Sequence, residues 1–199
     1  ERVLIPITQR GYIKRMPTKV YKAQGRGGRG VIGMTTRDED AIVYLLAANT
    51  LDTLLFFTDH GKVYQERVYQ IPQADRTAKG SLIAGILALN PSERVTAVVA
   101  VRTFDERHFL TMVTRQGWIK RMALSEFVTV RPSGLIAITL EDNDVLGWAR
   151  LTQGHDDVIL VTEQGQGIRF NEQEVRPMGR NARGVTSMRL APQDNVASM

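Results

Sequence analysis

The sequence predicts an all-β fold, a propeller-like disc of four-stranded blades, and three observations predict it. One phrase recurs: GYIKRM (11–16) and GWIKRM (117–122) differ only in the aromatic, and LLFFTDHGKVYQE (54–66) and VILVTEQGQGIRF (158–170) repeat its frame. The glycines that anchor the phrase, Gly11, Gly61, Gly117 and Gly165, are 50, 56 and 48 residues apart. A second glycine follows each, Gly30, Gly80, Gly134 and Gly184, after 19, 19, 17 and 19 residues. Self-similarity at a period of about 50 residues marks a repeat architecture, and four short strands per repeat make a propeller blade. A β-sandwich is the plainer alternative, but it has no need of the same unit four times.

Each unit opens on an apolar run that ends at a polar turn closed by the first glycine, as in HFLTMVTRQG (108–117), which is a hairpin signal. A second strand such as WIKRM follows, then a longer segment with glycine, proline and basic residues. A third strand opens at the second glycine: GVIGMTT (30–36), GSLIAGILAL (80–89), GLIAITL (134–140) and GVTSMRL (184–190). A turn follows: RDED (37–40), NPSE (90–93), EDND (141–144) and PQD (192–194). A fourth strand closes the unit, as in AIVYLLAA (41–48), VTAVVAV (95–101) and VLGWARL (145–151). β-Branched and aromatic residues suit these half-buried pleated surfaces. The run AIVYLLAA would pass as a helical turn by periodicity alone, and its place in the repeat argues for strand. The approximate blades are 1–51, 52–106, 107–154 and 155–199 of a single domain.

The chain has 199 residues and no cysteine, which excludes disulfides, thiolate catalysis and cysteine-ligated metal. No apolar run approaches the roughly 18 residues of a membrane helix, and no secretory signal opens the chain. His60, His108 and His155 lie scattered in different units and do not read as a metal site. The stretch GHDD (154–157) reads as a loop between blades. Tyr12, Tyr21, Tyr44, Tyr64 and Tyr69 read as packing aromatics, not as nucleophiles. No P-loop is present, so no cofactor is expected in this domain.

A net charge of +5 conceals a strong separation. The four segments from first to second glycine hold 17 of the 26 Lys and Arg but 5 of the 21 Asp and Glu. They carry +12 and the rest of the chain −7. The same sign at the same place in every repeat points to a phosphate-binding edge. The most basic segment holds Lys14, Arg15, Lys19, Lys22 and the run Gln24-Gly25-Arg26-Gly27-Gly28-Arg29-Gly30. That run satisfies G-x-G-x-x-G, but a strand follows where a dinucleotide fold needs a helix. Bare glycines let backbone amides approach phosphate, and arginines supply forked donors. The other candidate DNA contacts are Arg67, Arg76 and Lys79 in the second unit, Lys120, Arg121 and Arg131 in the third, and Arg169, Arg176, Arg180 and Arg183 in the fourth.

The run QGRGGRG (24–30) resembles the glycine-and-basic box of the C-terminal domain of DNA gyrase A, which typically reads Gln-Arg-Arg-Gly-Gly-Lys-Gly. Gly25 stands where an arginine is common, and Arg29 replaces lysine. The stretches ANTLDTLLFFTDHGKVY (48–64), YQIPQADRTAKG (69–80), GWIKRMALSEF (117–127), GLIAITLEDND (134–144) and VRPMGRNARGV (175–185) extend the resemblance over essentially the whole chain. The resemblance implies a β-pinwheel, in which neighbouring blades exchange strands. It implies a non-catalytic domain that wraps double-stranded DNA largely independently of sequence and directs strand passage toward negative supercoiling. It further implies a cytoplasmic, nucleoid-associated bacterial enzyme, with the cleavage domain N-terminal in the same polypeptide, gyrase B as partner, and ATP and magnesium handled elsewhere. The family usually has six blades and four are visible, so the chain reads as a fragment or a truncated lineage. The rival readings are the equivalent domain of topoisomerase IV, which binds DNA without effective wrapping, and a propeller whose basic edge docks an acidic protein.

Overall fold

The computed structural model describes residues 1–21, 26–28 and 40–199. The chain divides into two compact units, one of residues 1–54, 66–88 and 100–102, the other of residues 55–65, 89–99 and 103–199. Strands follow the repeat. The first contributes β1 (Arg2–Thr8), β2 (Tyr12–Ile13), β3 (Met16–Pro17) and β4 (Ile42–Asn49). The second contributes β5 (Thr53–Thr58), β6 (Lys62–Arg67), β7 (Ser81–Leu82) and β8 (Val95–Val101). The third contributes β9 (Phe109–Thr114), β10 (Trp118–Ala123), β11 (Leu135–Ile136) and β12 (Leu146–Thr152). The fourth contributes β13 (Asp157–Thr162), β14 (Gly167–Asn171), β15 (Val185–Thr186) and β16 (Val196–Ser198).

The all-β expectation holds, and the strands exchange. In the first sheet β1 pairs β2, β3 and β4, and β7 of the next repeat joins β2 with Tyr12 opposite Leu82 and Ile13 opposite Ser81. The second sheet runs β11-β6-β5-β8, with Leu135 opposite Val63. The third runs β12-β9-β10-β15, with Ile119 opposite Val185. The fourth has β14-β13-β16 among the described residues. The third strand of a repeat thus completes the sheet of the repeat before it. It is shorter than the sequence suggests. After two paired residues in β7 the chain turns into a 3-10 turn, Ile83–Gly85, which buries Ile83. The segment 30–36 of the first repeat lies outside the described residues.

Second glycines mark the crossing. Gly80 and Gly184 have φ of +83° and +93°, and a Cβ there would stand 2.4 Å from the carbonyl oxygen of Ile13 and 2.2 Å from that of Ile119. Only a residue without a side chain lets the incoming strand lie this close to its host. The repeat spacing of these glycines is therefore a packing requirement.

In the first unit Val3, Ile5, Ile7, Ile13, Val68 and Ile71 are buried. In the second, Val113, Ile119, Val158, Leu160, Val175 and Val196 form one cluster, with Trp148, Phe170 and Met178 packed on it. β5 is buried along its whole length, whereas β13 alternates, with Val158, Leu160 and Thr162 inside and Ile159 and Val161 exposed.

The acidic turns are structural clips. Asp144 Oδ1 accepts from the amides of Gln116 and Val145 at 3.0 and 2.8 Å. Asp194 Oδ1 does the same for Gln164 and Asn195, and Asp40 Oδ1 for Arg10 and Ala41. Each clip ties the start of the fourth strand to the hairpin of its own repeat. Burial raises the carboxyl pKa of Asp40 and Asp194, but the hydrogen bonds outweigh it and hold both below the ordinary value. In the second repeat the longer Glu93 takes this place. It turns inward to Thr58 Oγ1 and the Tyr64 hydroxyl at 2.6 and 2.7 Å, and Asp59 takes over the amide of Arg94.

Candidate nucleic-acid interface

Aligned on the second glycine, three repeats carry the same basic pair: Arg26-x-x-Arg29-Gly30, Arg76-x-x-Lys79-Gly80 and Arg180-x-x-Arg183-Gly184. The third repeat is two residues shorter here and carries Arg131. The local fold is alike in the second and fourth repeats. The second strand ends in a 3-10 turn, Val68–Gln70 or Glu172–Glu174. The chain then runs beside the second strand of the preceding repeat. Arg15 N donates to Pro72 O and Ala74 N to Arg15 O, at 3.1 and 3.2 Å, and Met178 N donates to Arg121 O at 2.9 Å. The basic pair comes next, immediately before the glycine that opens the exchanged strand.

Lys79 is exposed and Arg76 half-buried, and neither side chain has a hydrogen bond or ion pair among the described residues. The same is true of Lys19, Arg26, Arg131 and Arg176, all exposed. Gly27 and Gly28 are exposed beside Arg26. Other candidates hold partners. Arg67 Nη1 donates to Leu51 O at 3.1 Å. Arg169 pairs with Asp157 at 2.6 Å, Arg183 pairs with Glu141, and Arg180 Nη2 donates to Glu126 O at 2.8 Å. Exposed pairs of this kind are weak, and a phosphate can replace the carboxylate. Lys22, Gln24, Gly25, Arg29 and Gly30 lie outside the described residues.

Three candidates are corrected. Lys14 and Lys120 are fully buried and Arg121 is 5 % exposed, so none of them meets a phosphate. Lys14 lies between β2 and β3, Lys120 and Arg121 lie in β10 where four successive residues are buried, and the charges are satisfied within the protein. Lys14 Nζ donates to the carbonyls of Asp75, Arg76 and Ala78 at 2.8, 2.7 and 2.9 Å. Lys120 Nζ donates to Ala137 O and Arg180 O, both at 2.8 Å. Burial lowers both ammonium pKa values, with Asp75 and Glu126 opposing, and that of Lys120 falls to about 8. Arg121 Nε donates to Val175 O at 2.8 Å, its guanidinium lies over the Phe109 ring, and its Nη1 faces the buried Glu172 at 3.8 Å. Arg15 is half-buried, and its Nε donates to Ile71 O at 3.0 Å. In the second repeat Gln65 Nε2 reaches Val128 O at 3.4 Å. Ile71, Val128 and Val175 each end the 3-10 turn of the following repeat. The long polar side chain after the buried one is therefore a latch onto the next repeat. Among the described residues, no group of three or more His, Asp or Glu could hold a metal ion, and no helix is long and apolar enough to cross a membrane.

Antiparallel blades, three of which take a strand from the following repeat, define a strand-exchanging β-propeller repeat domain. The chain belongs to the DNA gyrase C-terminal domain, beta-propeller, family, whose model matches residues 4–49, 52–102, 108–151 and 156–199. It is 46% identical over 185 residues to DNA gyrase A of Clostridium acetobutylicum, covering 93% of this chain and 22% of the relative. It is 43% identical over 203 residues to the Haloquadratum walsbyi protein of the same name, covering all of this chain and 24% of that one. The chain thus spans less than a quarter of the length of these relatives. Solved structures that match all of it include the C-terminal domain of DNA topoisomerase IV (TM-score 0.83, 30% identity, 60% of that chain) and a DNA gyrase A C-terminal domain (TM-score 0.77, 28% identity, 64% of that chain).

Proposed function

We propose that this chain is a DNA-wrapping module, and that the recurrent basic turn is its contact with double-stranded DNA. One observation carries the reading: the pair Arg-x-x-Lys/Arg-Gly returns at the same sequence position of three repeats, and Arg76 and Lys79 stand there without partners among the described residues. The donors are forked or ammonium groups suited to phosphate oxygens, and among the described residues no element is shaped to enter the major groove, so binding is largely independent of sequence. The contact residues are Lys19, Arg26, Arg76, Lys79, Arg131 and Arg176, with Lys22, Gln24, Gly25, Gly27, Gly28, Arg29 and Gly30 completing the box, and Arg67, Arg169, Arg180 and Arg183 joining by exchanging their partners. The repeats 1–51, 52–106, 107–154 and 155–199 are the units along which the duplex runs.

In a parent topoisomerase the wrapped segment is returned to a DNA gate in the N-terminal cleavage domain. That fixes the hand of strand passage and yields negative supercoils. ATP and magnesium belong to other parts of that enzyme, including gyrase B, and its setting is the bacterial cytoplasm and nucleoid. The likeness to a topoisomerase IV domain supports a second reading, DNA binding without wrapping. The box QGRGGRG and the similarity to gyrase A sequences support wrapping over it.

Fluorescence anisotropy with a random-sequence duplex across a salt series tests the DNA reading. Six phosphate contacts give log K against log[salt] a slope of about −5, at roughly 0.9 per contact. A slope shallower than about −2 rejects the basic turns as the binding surface.

A further inference from the structure

Lys14 and Lys120 occupy one position of the repeat, three residues after the anchoring glycine, and both are fully buried. Each ammonium donates into the backbone of the next repeat's basic turn. Lys14 takes the carbonyls of Asp75, Arg76 and Ala78, all three within 2.9 Å. An ammonium has three protons, so this set saturates it. Lys120 takes the carbonyl of Arg180, which aligns with Arg76. The carbonyl side of the turn is thereby held at Arg76 and Arg180, the first member of each basic pair, and at Asp75 and Ala78 on either side of Arg76.

The second repeat provides the contrast. Tyr64 stands in the lysine's place and sends its hydroxyl to Glu93, and a Cβ on Gly134 would lie 2.8 Å from its ring. The turn that follows, in the third repeat, is the short one that lacks the Arg-x-x-Lys/Arg pair. A buried lysine thus precedes both described turns that carry the pair, and it is absent before the turn that does not.

We propose that Lys14 and Lys120 are positioning residues for phosphate contact: Lys14 acts through Arg76 and Lys79, and Lys120 through Arg180 and Arg183. The proposal rests on the DNA-binding reading above. Neither lysine touches DNA. Lys14 supplies donors to three carbonyls of its turn and Lys120 to one, which holds the turn against the preceding repeat and fixes the spacing of two cations three residues apart before DNA arrives. Pre-ordering of this kind removes part of the ordering cost of binding.

The test uses the 199-residue chain, a random-sequence duplex and a salt series well below the melting temperature of every variant. Lys14→Met keeps the apolar stem and removes the donor. It is compared with Arg76→Ala/Lys79→Ala and with the triple variant. Lys14→Met should make the salt slope shallower by about 1 to 2, as the loss of two contacts does. In the triple variant the slope should equal that of the double variant, while thermal unfolding shows the same stability loss from Lys14→Met in both backgrounds. A merely structural lysine gives the stability loss without the coupled slope. If Lys14→Met does not fold, Lys14→Gln, and Lys120→Met against Arg180→Ala/Arg183→Ala, carry the same comparison. A slope unchanged by Arg76→Ala/Lys79→Ala rejects the DNA reading of that turn, and the proposal with it. A slope lowered by the double variant but unchanged by the lysine variants, or lowered additively in the triple, overturns the proposal alone.

Discussion

The ammonium of Lys120 is held by two carbonyls in place of water, and its proton is correspondingly loose. Burial brings its pKa from 10.5 to about 8, with Glu126 opposing the shift. Between those two values the native amine is neutral while the unfolded one still binds a proton. The unfolded state then carries the extra proton, so stability rises with pH across that window and is flat on either side. Wild type should therefore gain on Lys120→Met by up to about 3 kcal/mol between roughly pH 8 and 10.5. Urea unfolding of both proteins over this range measures it, and a difference that falls with pH refutes the assignment. Glycines give a second contrast at this scale. Gly165 and Gly184 both have positive φ, but a Cβ at Gly165 meets nothing within 4 Å, whereas at Gly184 it stands 2.2 Å from Ile119 O. Gly184→Ala should lose about 1–3 kcal/mol more than Gly165→Ala, the cost of overpacking on top of a shared backbone strain. Equal denaturation midpoints would mean that the crossing has room to relax.

The second strand shows what alternation can and cannot reveal. Its frame was legible because the anchoring glycine and the hairpin recur in all four repeats. The role of its Lys-Arg pair was not. A half-buried strand sorts its residues by face, but Ile119, Lys120, Arg121 and Met122 are all buried, and no polar–apolar period marks the inside. A signal was present in the comparison of repeats: the same position reads Lys14, Tyr64, Lys120 and Ile168. Those side chains share an apolar body and differ in the polar tip, which suits a core site with a local partner and not a surface that reads phosphate. The tyrosine also coincides with Glu93 where other repeats carry aspartate at the turn. Burial raises the pKa of Glu93, but the hydrogen bonds from Thr58, Tyr64 and the Asn90 amide outweigh it and hold it below 4.5. Its contribution to stability is therefore present at neutral pH and lost as pH falls through the folded value. Tyr64→Phe should cost about 1–3 kcal/mol at neutral pH, because a buried carboxylate loses a donor. The gap should narrow in acid as Glu93 takes up a proton in both proteins. A pH-independent gap would assign the loss to packing.

Over the whole chain the first-to-second-glycine segments carry +12 and the remainder −7, and this much was legible from the sequence. Folding divides the positive set in two. Lys14, Lys120 and Arg121 hold repeats together, whereas at the turns Arg76 and Lys79 stand without partners among the described residues and Arg180 and Arg183 face oxygens of Glu126 and Glu141, the group that the proposed reading assigns to DNA. Binding and bending make different demands on that second group. Bending about 20–30 base pairs by 40–90° costs on the order of 1–6 kcal/mol, so contacts must persist as the duplex curves. On the wrapping reading proposed above, no single turn holds both ends of a bent segment, and the box of the first repeat is assigned the capture of the end that later repeats return. Arg26 is exposed next to the bare backbone of Gly27 and Gly28, and Arg29 completes the pair in sequence. Replacing Arg26 and Arg29 by alanine leaves 15 Lys and Arg in the four segments. Much of the affinity should therefore survive while the bend is reduced, and in an intact parent enzyme supercoiling should be lost with relaxation spared. Fluorescence transfer between dyes on the two ends of one duplex, at saturating protein, reads the bend directly. If the variant brings the ends together as well as wild type, the box is one phosphate contact among several, and capture of the returning end belongs to another turn.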